Sequence, residues 1–179
     1  MSINSIKRYI ENELSVLIGE EIKKLRRVVS MVGVDFGDDI EKVMNDEIQS
    51  SSEQAEINKS SKFSLHIHSS WRILKDSEIC VGHSDLFNRD IGGFKIYEYN
   101  DKSVANVEFT KISRGLNEIF ETETIRVIQV EANELGDLKI YMEDNYCLEI
   151  FVDAFEDVES WRFFRNDKDS DHIVIFSED

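Results

Sequence analysis

The chain contains no proline, only two cysteines and no apolar stretch long enough to span a bilayer. Without proline, its turns must be built by Gly, Asn, Asp and Ser. Cys80 and Cys147 lie far apart in the sequence and fit no metal-binding or redox spacing, so we interpret both as free thiols. A membrane-spanning helix needs about 20 apolar residues. We therefore expect neither a membrane protein nor a signal peptide, and a cytoplasmic location.

Basic residues are scarce, with 21 Lys and Arg against 37 Asp and Glu, which gives a formal net charge of −16. Residues 121–179 alone hold 17 acids and 5 bases, a net charge of −12. Such a field repels phosphate backbones and anionic lipids and attracts basic protein surfaces. We therefore expect no nucleic acid and no membrane among the partners, and we expect a basic protein as the partner. The alternative is that the charge serves solubility.

The sequence also lacks the common catalytic motifs, namely GxSxG, the P-loop, GxGxxG and HExxH, and it predicts no cofactor. Its Gly92-Gly93 pair precedes a strand-like run rather than a helix, which indicates a turn. The basic run at 23–27 can contact a phosphate or an acidic partner, or it can form a solvated strand edge. Enzymatic activity is therefore left open, and a binding role is favoured.

Hydrophobic residues make up 41% of the 179 positions, which is enough for a packed core, and we expect one domain over residues 1–179. Apolar residues at spacings of three and four predict a helix over residues 3–18, ended by Gly19. Alternation over 27–36 predicts a first strand that ends in a turn at 37–39. The polar segment at about 38–61 is predicted to be a mobile insertion, with a short helix at 40–48 as an alternative.

Strand-like runs follow at 63–74, 79–84, 95–99, 104–109, 125–132, 138–142, 146–152, 161–165 and 173–176. The clearest is the hairpin formed by 138–142 and 146–152, and a short helix is predicted near 114–121. The predicted fold class is therefore α+β, mainly β, with an antiparallel sandwich or open barrel and an N-terminal helix. No internal repeat is apparent.

Two histidines offer a weak candidate for a metal site. His66 and His68 are two apart on a predicted strand, so both project from the same face. Cys80 and His83 follow on the neighbouring strand, but their odd separation places them on opposite faces, and only one of them can join the pair. The alternative is an ordinary polar strand.

Two Trp-Arg pairs and several acidic clusters are candidate binding residues. Trp71-Arg72 and Trp161-Arg162 either form an exposed binding surface or place each Trp in the core and each Arg outside. The acidic candidates could serve as a docking face or lie in turns and on a solvated face. They are Glu131, Glu134, Asp137, Asp153, Glu156 and Asp157.

Four stretches resemble a group of small uncharacterised proteins from Gram-positive bacteria: IHSSWRI (67–73), VGHSDLF (81–87), the segment 130–153 and WRFF (161–164). Some proteins of that kind resemble immunity partners of bacterial toxins. The resemblance covers about residues 14–36 and 62–165 and brings no catalytic residues with it. It implies a bacterial source and a related fold rather than an activity.

Three functions stay open. The leading hypothesis is a non-enzymatic protein-binding domain, such as an immunity-like inhibitor whose acidic C-terminal third covers a basic toxin surface. The second is a module that binds a small ligand between a sheet face and the 38–61 segment, with Trp71 or Trp161 as an apolar wall. The third is a metal-dependent enzyme that uses His66, His68 and nearby carboxylates.

Overall fold

The computed structural model describes residues 3–28, 30–42, 58–91, 94–97, 107–154, 157–167 and 172–177. These residues form two α-helices, α1 (Ile3–Leu14) and α2 (Val107–Thr122), and twelve strands. The strands are β1 (Ile22–Val28), β2 (Met31–Lys42), β3 (Asn58–Ile67), β4 (Ser70–Lys75), β5 (Glu78–Gly82), β6 (Asn88–Ile91), β7 (Phe94–Tyr97), β8 (Val127–Ala132), β9 (Leu138–Met142), β10 (Tyr146–Phe151), β11 (Glu159–Arg165) and β12 (Ile173–Phe176).

The strands form two antiparallel five-stranded sheets and one separate hairpin, β6-β7. Sheet 1 has the order β1-β2-β3-β11-β12, and sheet 2 has the order β8-β9-β10-β4-β5. Residues that alternate along the strands turn their apolar side chains toward a core cluster shared with both helices. The structure confirms a mainly β fold of two antiparallel sheets, which do not close into a barrel.

The two halves of the chain repeat one order of elements. Residues 3–82 form a helix, three strands and a two-stranded hairpin, and residues 107–176 form the same series. Each half places its first three strands in one sheet and its last two strands in the other sheet. The helices are exchanged as well, because α1 packs against β8 and α2 against β1. The fold therefore has an internal pseudo-twofold arrangement.

The strand registers match between the halves. The register shift between Ile22 and Lys24 in the β1-β2 pair recurs between Val127 and Gln129 in the β8-β9 pair. The two halves meet where Glu21 forms an isolated antiparallel bridge with Arg126. At this point Arg126 Nη2 also donates to Glu21 Oε1 over 2.6 Å. Positions in the two sheets can therefore be compared one by one.

Both helices match sequence predictions in part. Ile10, Leu14 and Leu17 are fully buried, and Gly19 takes a φ of +89° that ends the helical segment. The helix predicted near 114–121 is longer, because Phe109 and Ser113 continue its buried face toward the N-terminus. The strand predicted at 104–109 is wrong for 107–109, which belong to α2, while 104–106 lie outside the described residues.

Two strand predictions failed at turns. Residues 27–36 span the end of β1, a tight turn and the start of β2, because the period-two pattern continues through the turn. The run 63–74 splits between β3 in sheet 1 and β4 in sheet 2. The predicted insertion at 38–61 is also partly wrong, because Asp39–Lys42 pairs with Asn58–Ser61. Its remaining part, 43–57, lies outside the described residues.

Within the described ranges, no helix is long and apolar enough to cross a membrane.

Candidate functional site

The outer face of sheet 1 carries a groove of about 570 Å³, which we call the sheet 1 groove. It lies beside the extended β2-β3 hairpin, and the end of α2 contributes one residue. Its lining is polar apart from one aromatic ring and comprises Lys23, Lys24, Arg26, Asp35, Asp39, Ser60, Ser61, Ser64, His66, Glu121, Phe164 and Asn166.

Arg26 lies along the groove over Gly33, its cross-strand neighbour on β2. A Cβ atom at Gly33 would stand 3.0 Å from Arg26 Cζ, so the missing side chain leaves room for the guanidinium. Arg26 Nε donates to Asp35 Oδ2 over 2.8 Å, and Ser64 Oγ donates to Asp35 Oδ1 over 2.8 Å. The negative charge of Asp35 is thereby paired with Arg26, and its carboxylate is held in place.

His66 lies next to Arg26 and is half-buried. Burial lowers the pKa of His66 below its ordinary value of 6.5, and the nearby Arg26 charge lowers it further, so the imidazole is neutral at pH 7. Its Nε2 lies 3.1 Å from Arg26 Nη2. Because a guanidinium only donates, Nε2 is the acceptor and the proton is on Nδ1. That Nδ1–H has no acceptor in the described part of the chain.

Two further donors at the sheet 1 groove lack acceptors among the described residues. Ser60 Oγ is buried without a hydrogen-bond partner. Lys24 is exposed and takes part in no ion pair with a described carboxylate, whereas its neighbour Lys23 is bound to Glu21. The groove therefore contains donors without partners in the described chain, and it also holds the exposed carboxylates of Asp39 and Glu121 at its rim.

Phe164 supplies the aromatic part of the groove. Its ring stacks on His172 at a centroid distance of 4.7 Å and meets His66 edge to face at 4.8 Å. Asn166 Nδ2 donates to Ser61 O and Ser64 Oγ over 2.8 and 2.9 Å. These contacts hold the β3 and β11 sides of the groove in a defined geometry.

Sheet 2 has a depression of about 530 Å³ at the corresponding place, which we call the sheet 2 groove. Its central residue is Glu149, which occupies the position of His66. Lys139 takes the position of Gly33, and Arg72 takes that of Arg162. The two grooves are thus equivalent in position and similar in size.

The central carboxylate of the sheet 2 groove is held by ion pairs within the protein. Arg72 Nη2 lies 2.5 Å from Glu149 Oε2, and Lys139 Nζ lies 2.8 Å from Oε1. Burial alone would raise the pKa of Glu149, but hydrogen bonds from Lys139 and Arg72 outweigh it and hold that pKa below the ordinary 4.5. Both oxygens of Glu149 thus have cationic partners within the protein.

The remaining polar groups of the sheet 2 groove are also satisfied or neutral. Tyr141 donates its hydroxyl to Glu131 over 3.1 Å. Burial, reinforced by the negative charge of Glu149, raises the pKa of the Cys147 thiol to about 11. The thiol is therefore protonated and a poor nucleophile at neutral pH.

Both Trp-Arg pairs have the Trp in the core and the Arg outside. Trp71 is 2% exposed and Trp161 is 0% exposed, so neither forms an apolar wall at either groove. Arg72 pairs with Glu149, and Arg162 Nε donates to Glu159 over 2.6 Å. The two Trp side chains differ in the hydrogen bonding of the indole N–H. Trp161 Nε1 donates to Gly136 O over 3.0 Å, whereas Trp71 Nε1 is buried with no partner among the described residues.

The predicted acidic residues serve two roles. Glu131 and Asp137 are engaged locally, since Asp137 Oδ1 accepts from Val152 N over 2.7 Å and thereby joins the 133–137 loop to the end of β10. Glu134, Asp153 and Asp157 are exposed, and we call them the acidic end; Asp153 also accepts hydrogen bonds from the backbone N–H and the hydroxyl of Ser70. The remaining candidate, Glu156, lies outside the described residues.

The weak metal candidates do not gather a third ligand. His66 lies in the sheet 1 groove, and His68 Nε2 lies 3.4 Å from Glu159 Oε1 near the end of β3. Cys80 and His83 belong to the β5 side of sheet 2. In the described part of the chain, no three His, Cys, Asp or Glu side chains converge in a way that could hold a metal ion.

Sequence reasoning singled out the basic run at 23–27 and His66, but it missed the groove that joins them. Gly33, Ser60, Ser64 and Phe164 gave no separate signal, because they come from strands far apart in the sequence. The recurrence of the Trp-Arg dipeptide at equivalent positions, 71–72 and 161–162, was the available sign of the paired architecture.

Comparisons with protein-family models, with curated proteins and with solved structures found no match to this chain.

Proposed function

We propose that this protein is a binding domain and that the sheet 1 groove holds a small ligand. One observation carries this proposal: the sheet 1 groove holds the buried Ser60 hydroxyl, which has no partner in the described chain, whereas the central carboxylate of the equivalent sheet 2 groove, Glu149, is paired with Lys139 and Arg72. A buried or partly buried polar group that lacks a partner costs free energy of about 1–3 kcal/mol, which a ligand can recover. The groove volume of about 570 Å³ suits a small molecule.

The sheet 1 groove corresponds to the second function predicted from the sequence, with one change of residues. Asp39, Ser60 and Ser61 bring the edge of the 38–61 segment to the sheet face, as that hypothesis requires. The aromatic residue beside the ligand is Phe164 rather than Trp71 or Trp161.

A thermal-shift screen of a metabolite collection tests this proposal. Gly33→Lys displaces Arg26, which lines the sheet 1 groove and occupies the space above Gly33. Gln129→Ala is the control, because Gln129 occupies on sheet 2 the position that Lys24 occupies on sheet 1. We expect compounds that raise the melting temperature of the wild type to lose their effect in Gly33→Lys and to keep it in Gln129→Ala. No active compound, or equal effects in both variants, would contradict the proposal.

A second candidate function is the docking of a basic protein on the acidic end. Its support is local: the Asp137 bond to Val152 brings two acidic loops together, and no described cation pairs with Glu134, Asp153 or Asp157. An acidic surface of this kind accelerates association with a basic partner, including a toxin of the type suggested by the resemblance.

Affinity capture at low and then high salt tests this second candidate. We expect a basic protein that elutes with salt and that is lost with Glu134→Lys/Asp157→Lys. Glu123→Lys/Asp144→Lys reverses two exposed charges elsewhere on the molecule and should leave capture unchanged. Equal capture by both double variants would exclude the acidic end as the docking surface.

A further inference from the structure

The two five-stranded sheets end in four edge strands, β1 and β12 in sheet 1 and β5 and β8 in sheet 2. The main-chain groups on the outer side of an edge strand have no strand partner, and proteins usually occupy them or interrupt the strand. Asn117 of α2 accepts from Leu25 N over 2.8 Å and donates to Leu25 O over 2.9 Å. Glu11 of α1 accepts from Ala132 N over 3.1 Å. The two helices thereby protect the edges of β1 and β8.

The edge of β5 is interrupted and covered. The register of its pairing with β4 shifts, so that Cys80 is an extra residue in β5. Gly82 N donates to Asp85 Oδ2 over 2.8 Å, and α2 packs against β5 and the helical turn His83–Leu86. A bulge and a covering helix both hinder the pairing of a further strand. This edge is the reference for β12, because β5 occupies in sheet 2 the place that β12 occupies in sheet 1.

The edge of β12 has none of these protections in the described chain. Ser177 N donates over 3.0 Å to the O atom of Val158, which directly precedes β11. Because main-chain groups alternate in direction along a strand, those of Ile175 also face β11, whereas those of Val174 and Phe176 face outward. No described side chain binds either outward N–H group. The strand, IVIF, contains neither a charge nor a proline that would discourage pairing.

The surface around this edge is apolar. Phe176 is 44% exposed, Val158 is 48% exposed and Leu135 is 69% exposed. Leu135 directly precedes Gly136, where a Cβ atom would lie 2.9 Å from Ile175 Cγ2, so this loop is packed against β12. The free edge therefore lies beside exposed apolar side chains that a partner can cover.

Acidic residues surround the apolar edge. Five acids flank β12 in the sequence, three in DKDSDH (167–172) and two directly after Ser177. Two members of the acidic end, Glu134 and Asp157, belong to the same two segments that contact β12. A second copy paired through β12 would bring two such sets of negative charge together, whereas a cationic segment neutralises them. The charge therefore favours a basic partner over self-association.

We infer that β12 is a docking edge for a basic protein, which adds an extended segment to sheet 1 as a further strand. This inference rests on the second candidate function and specifies how the partner binds. The N–H and C=O groups of Val174 and Phe176 pair with the main chain of the added strand. Apolar side chains of that strand cover Phe176, and Lys or Arg residues at its ends meet the acidic end.

Nuclear magnetic resonance titration of the full chain with synthetic peptides tests this inference. The probe KKVTVTVKK combines a β-branched centre with basic ends. KKVTPTVKK keeps the charge but disrupts main-chain pairing, and EEVTVTVEE reverses the charge. With the probe, we expect the amide signals of Val174 and Phe176 to shift and their hydrogen exchange to slow, while the signals of Leu25 and Gly82 stay in place. Both control peptides should leave all four signals in place.

Three variants test the edge and its charge separately. Val174→Pro removes an outward N–H and should abolish the response to the probe, while β12 keeps its pairing with β11 because that N–H takes no part in it. Asp157→Lys should weaken binding about two- to fivefold, as expected for an exposed ion pair. Glu123→Lys reverses an exposed charge elsewhere and should leave binding unchanged. Circular dichroism verifies that each variant folds.

The outcomes separate the inference from the docking function. The inference is overturned if the probe leaves the signals of Val174 and Phe176 unchanged, or if either control peptide shifts them equally. Dimerisation that Val174→Pro abolishes, measured by analytical ultracentrifugation, would also overturn it, because β12 would then serve a second copy. If affinity capture recovers a basic protein that is lost with Glu134→Lys/Asp157→Lys but kept with Val174→Pro, the docking function is correct and strand addition is wrong.

Discussion

The two outer faces of this molecule have the same backbone plan and nearly equal depressions, about 570 Å³ on sheet 1 and 530 Å³ on sheet 2, yet they differ in how their polar groups are satisfied. On sheet 2, Glu149 binds Arg72 and Lys139 within the protein. On sheet 1, His66 and Gly33 stand in the places of Glu149 and Lys139, and donors are left over. The central carboxylate of sheet 2 thus has partners within the protein, while the Ser60 hydroxyl at the sheet 1 groove has none in the described chain.

The two depressions differ in their polar contacts rather than in their volume. Both grooves would be comparable candidates on shape alone. The distinguishing feature is the balance of donors and acceptors, because a satisfied network gains little from a ligand whereas an unsatisfied one gains a full hydrogen bond. The equivalent positions also provide matched controls, since each substitution on one sheet has a counterpart on the other.

The largest expected effect comes from the central position of each face. Glu149→Ala leaves Arg72 and Lys139 without their shared carboxylate, and we expect the free energy of unfolding to fall by about 2–3 kcal/mol, less than for a fully buried pair because both cations are partly exposed. His66→Ala at the equivalent position should cost less than about 1 kcal/mol. Urea unfolding of both variants measures the difference, and equal losses would contradict the contrast between the two faces.

A smaller difference is expected between the two buried tryptophans. Trp161→Phe removes the donor to Gly136 O and leaves a buried carbonyl without it, whereas Trp71→Phe removes an N–H that has no partner in the described chain. Both substitutions remove similar volume, so that contribution largely cancels. We expect Trp161→Phe to be more destabilising by about 1–2 kcal/mol, measured by urea unfolding. If Trp71→Phe were the more harmful, Trp71 Nε1 would have a partner outside the described residues.

The fold was predictable where local patterns were consistent. In the hairpin of 138–142 and 146–151, buried apolar residues alternate with outward-facing residues along both strands. The turn between the strands is made by Asp144 and Asn145, which both take positive φ. The boundary inside 27–36 was missed because apolar alternation runs on through the turn between β1 and β2. The outside position of Arg72 and Arg162 followed directly from alternation along a strand.

The paired architecture left only one sign in the sequence, the repeated Trp-Arg dipeptide, and the groove left none. Equivalent residues are 105 positions apart in β1 and β8 (Lys24 and Gln129) but 83 apart in β3 and β10 (His66 and Glu149), so no fixed period exists. The groove combines three strands consecutive in the chain, β1, β2 and β3, with β11, whose pairing with β3 brings together segments about 100 residues apart. The absence of a side chain at Gly33 has meaning only when Arg26, which lines the groove, is seen to lie over it.

The free energy of unfolding should depend on pH in a different pH range for each of the two faces. The folded pKa of His66 is below 6.5, so its contribution is present above pH 6.5 and is lost as pH falls from 6.5 through the folded value. The folded pKa of Glu149 is below 4.5, so its contribution is present above pH 4.5 and is lost as pH falls through its lower folded value. Sheet 1 should therefore weaken first on acidification.

The corresponding variants isolate each window. His66→Gln should flatten the slope that begins near pH 6.5, by at most about 1.4 kcal/mol per pH unit, while Glu149→Gln should change the slope only below pH 4.5. Burial also lowers the pKa of His83, and Arg162 lowers that of Glu159, so these groups contribute to the same two windows. Differences between wild type and variant unfolding curves remove their contributions. An unchanged slope in His66→Gln would show that Arg26 and burial do not shift its pKa.

The smallest effects are expected at Lys24 and Gln129, the equivalent exposed positions on β1 and β8. Lys24→Ala and Gln129→Ala should each change the free energy of unfolding by less than about 0.5 kcal/mol, because neither side chain is buried. Such a small change for Lys24→Ala would mean that the Lys24 side chain does not stabilise the fold and is free to contact a ligand. If Lys24→Ala cost more than about 1 kcal/mol in urea unfolding, Lys24 would be engaged within the protein. The sheet 1 groove would then hold one donor fewer without a partner, and the two faces would be more alike than their contacts indicate.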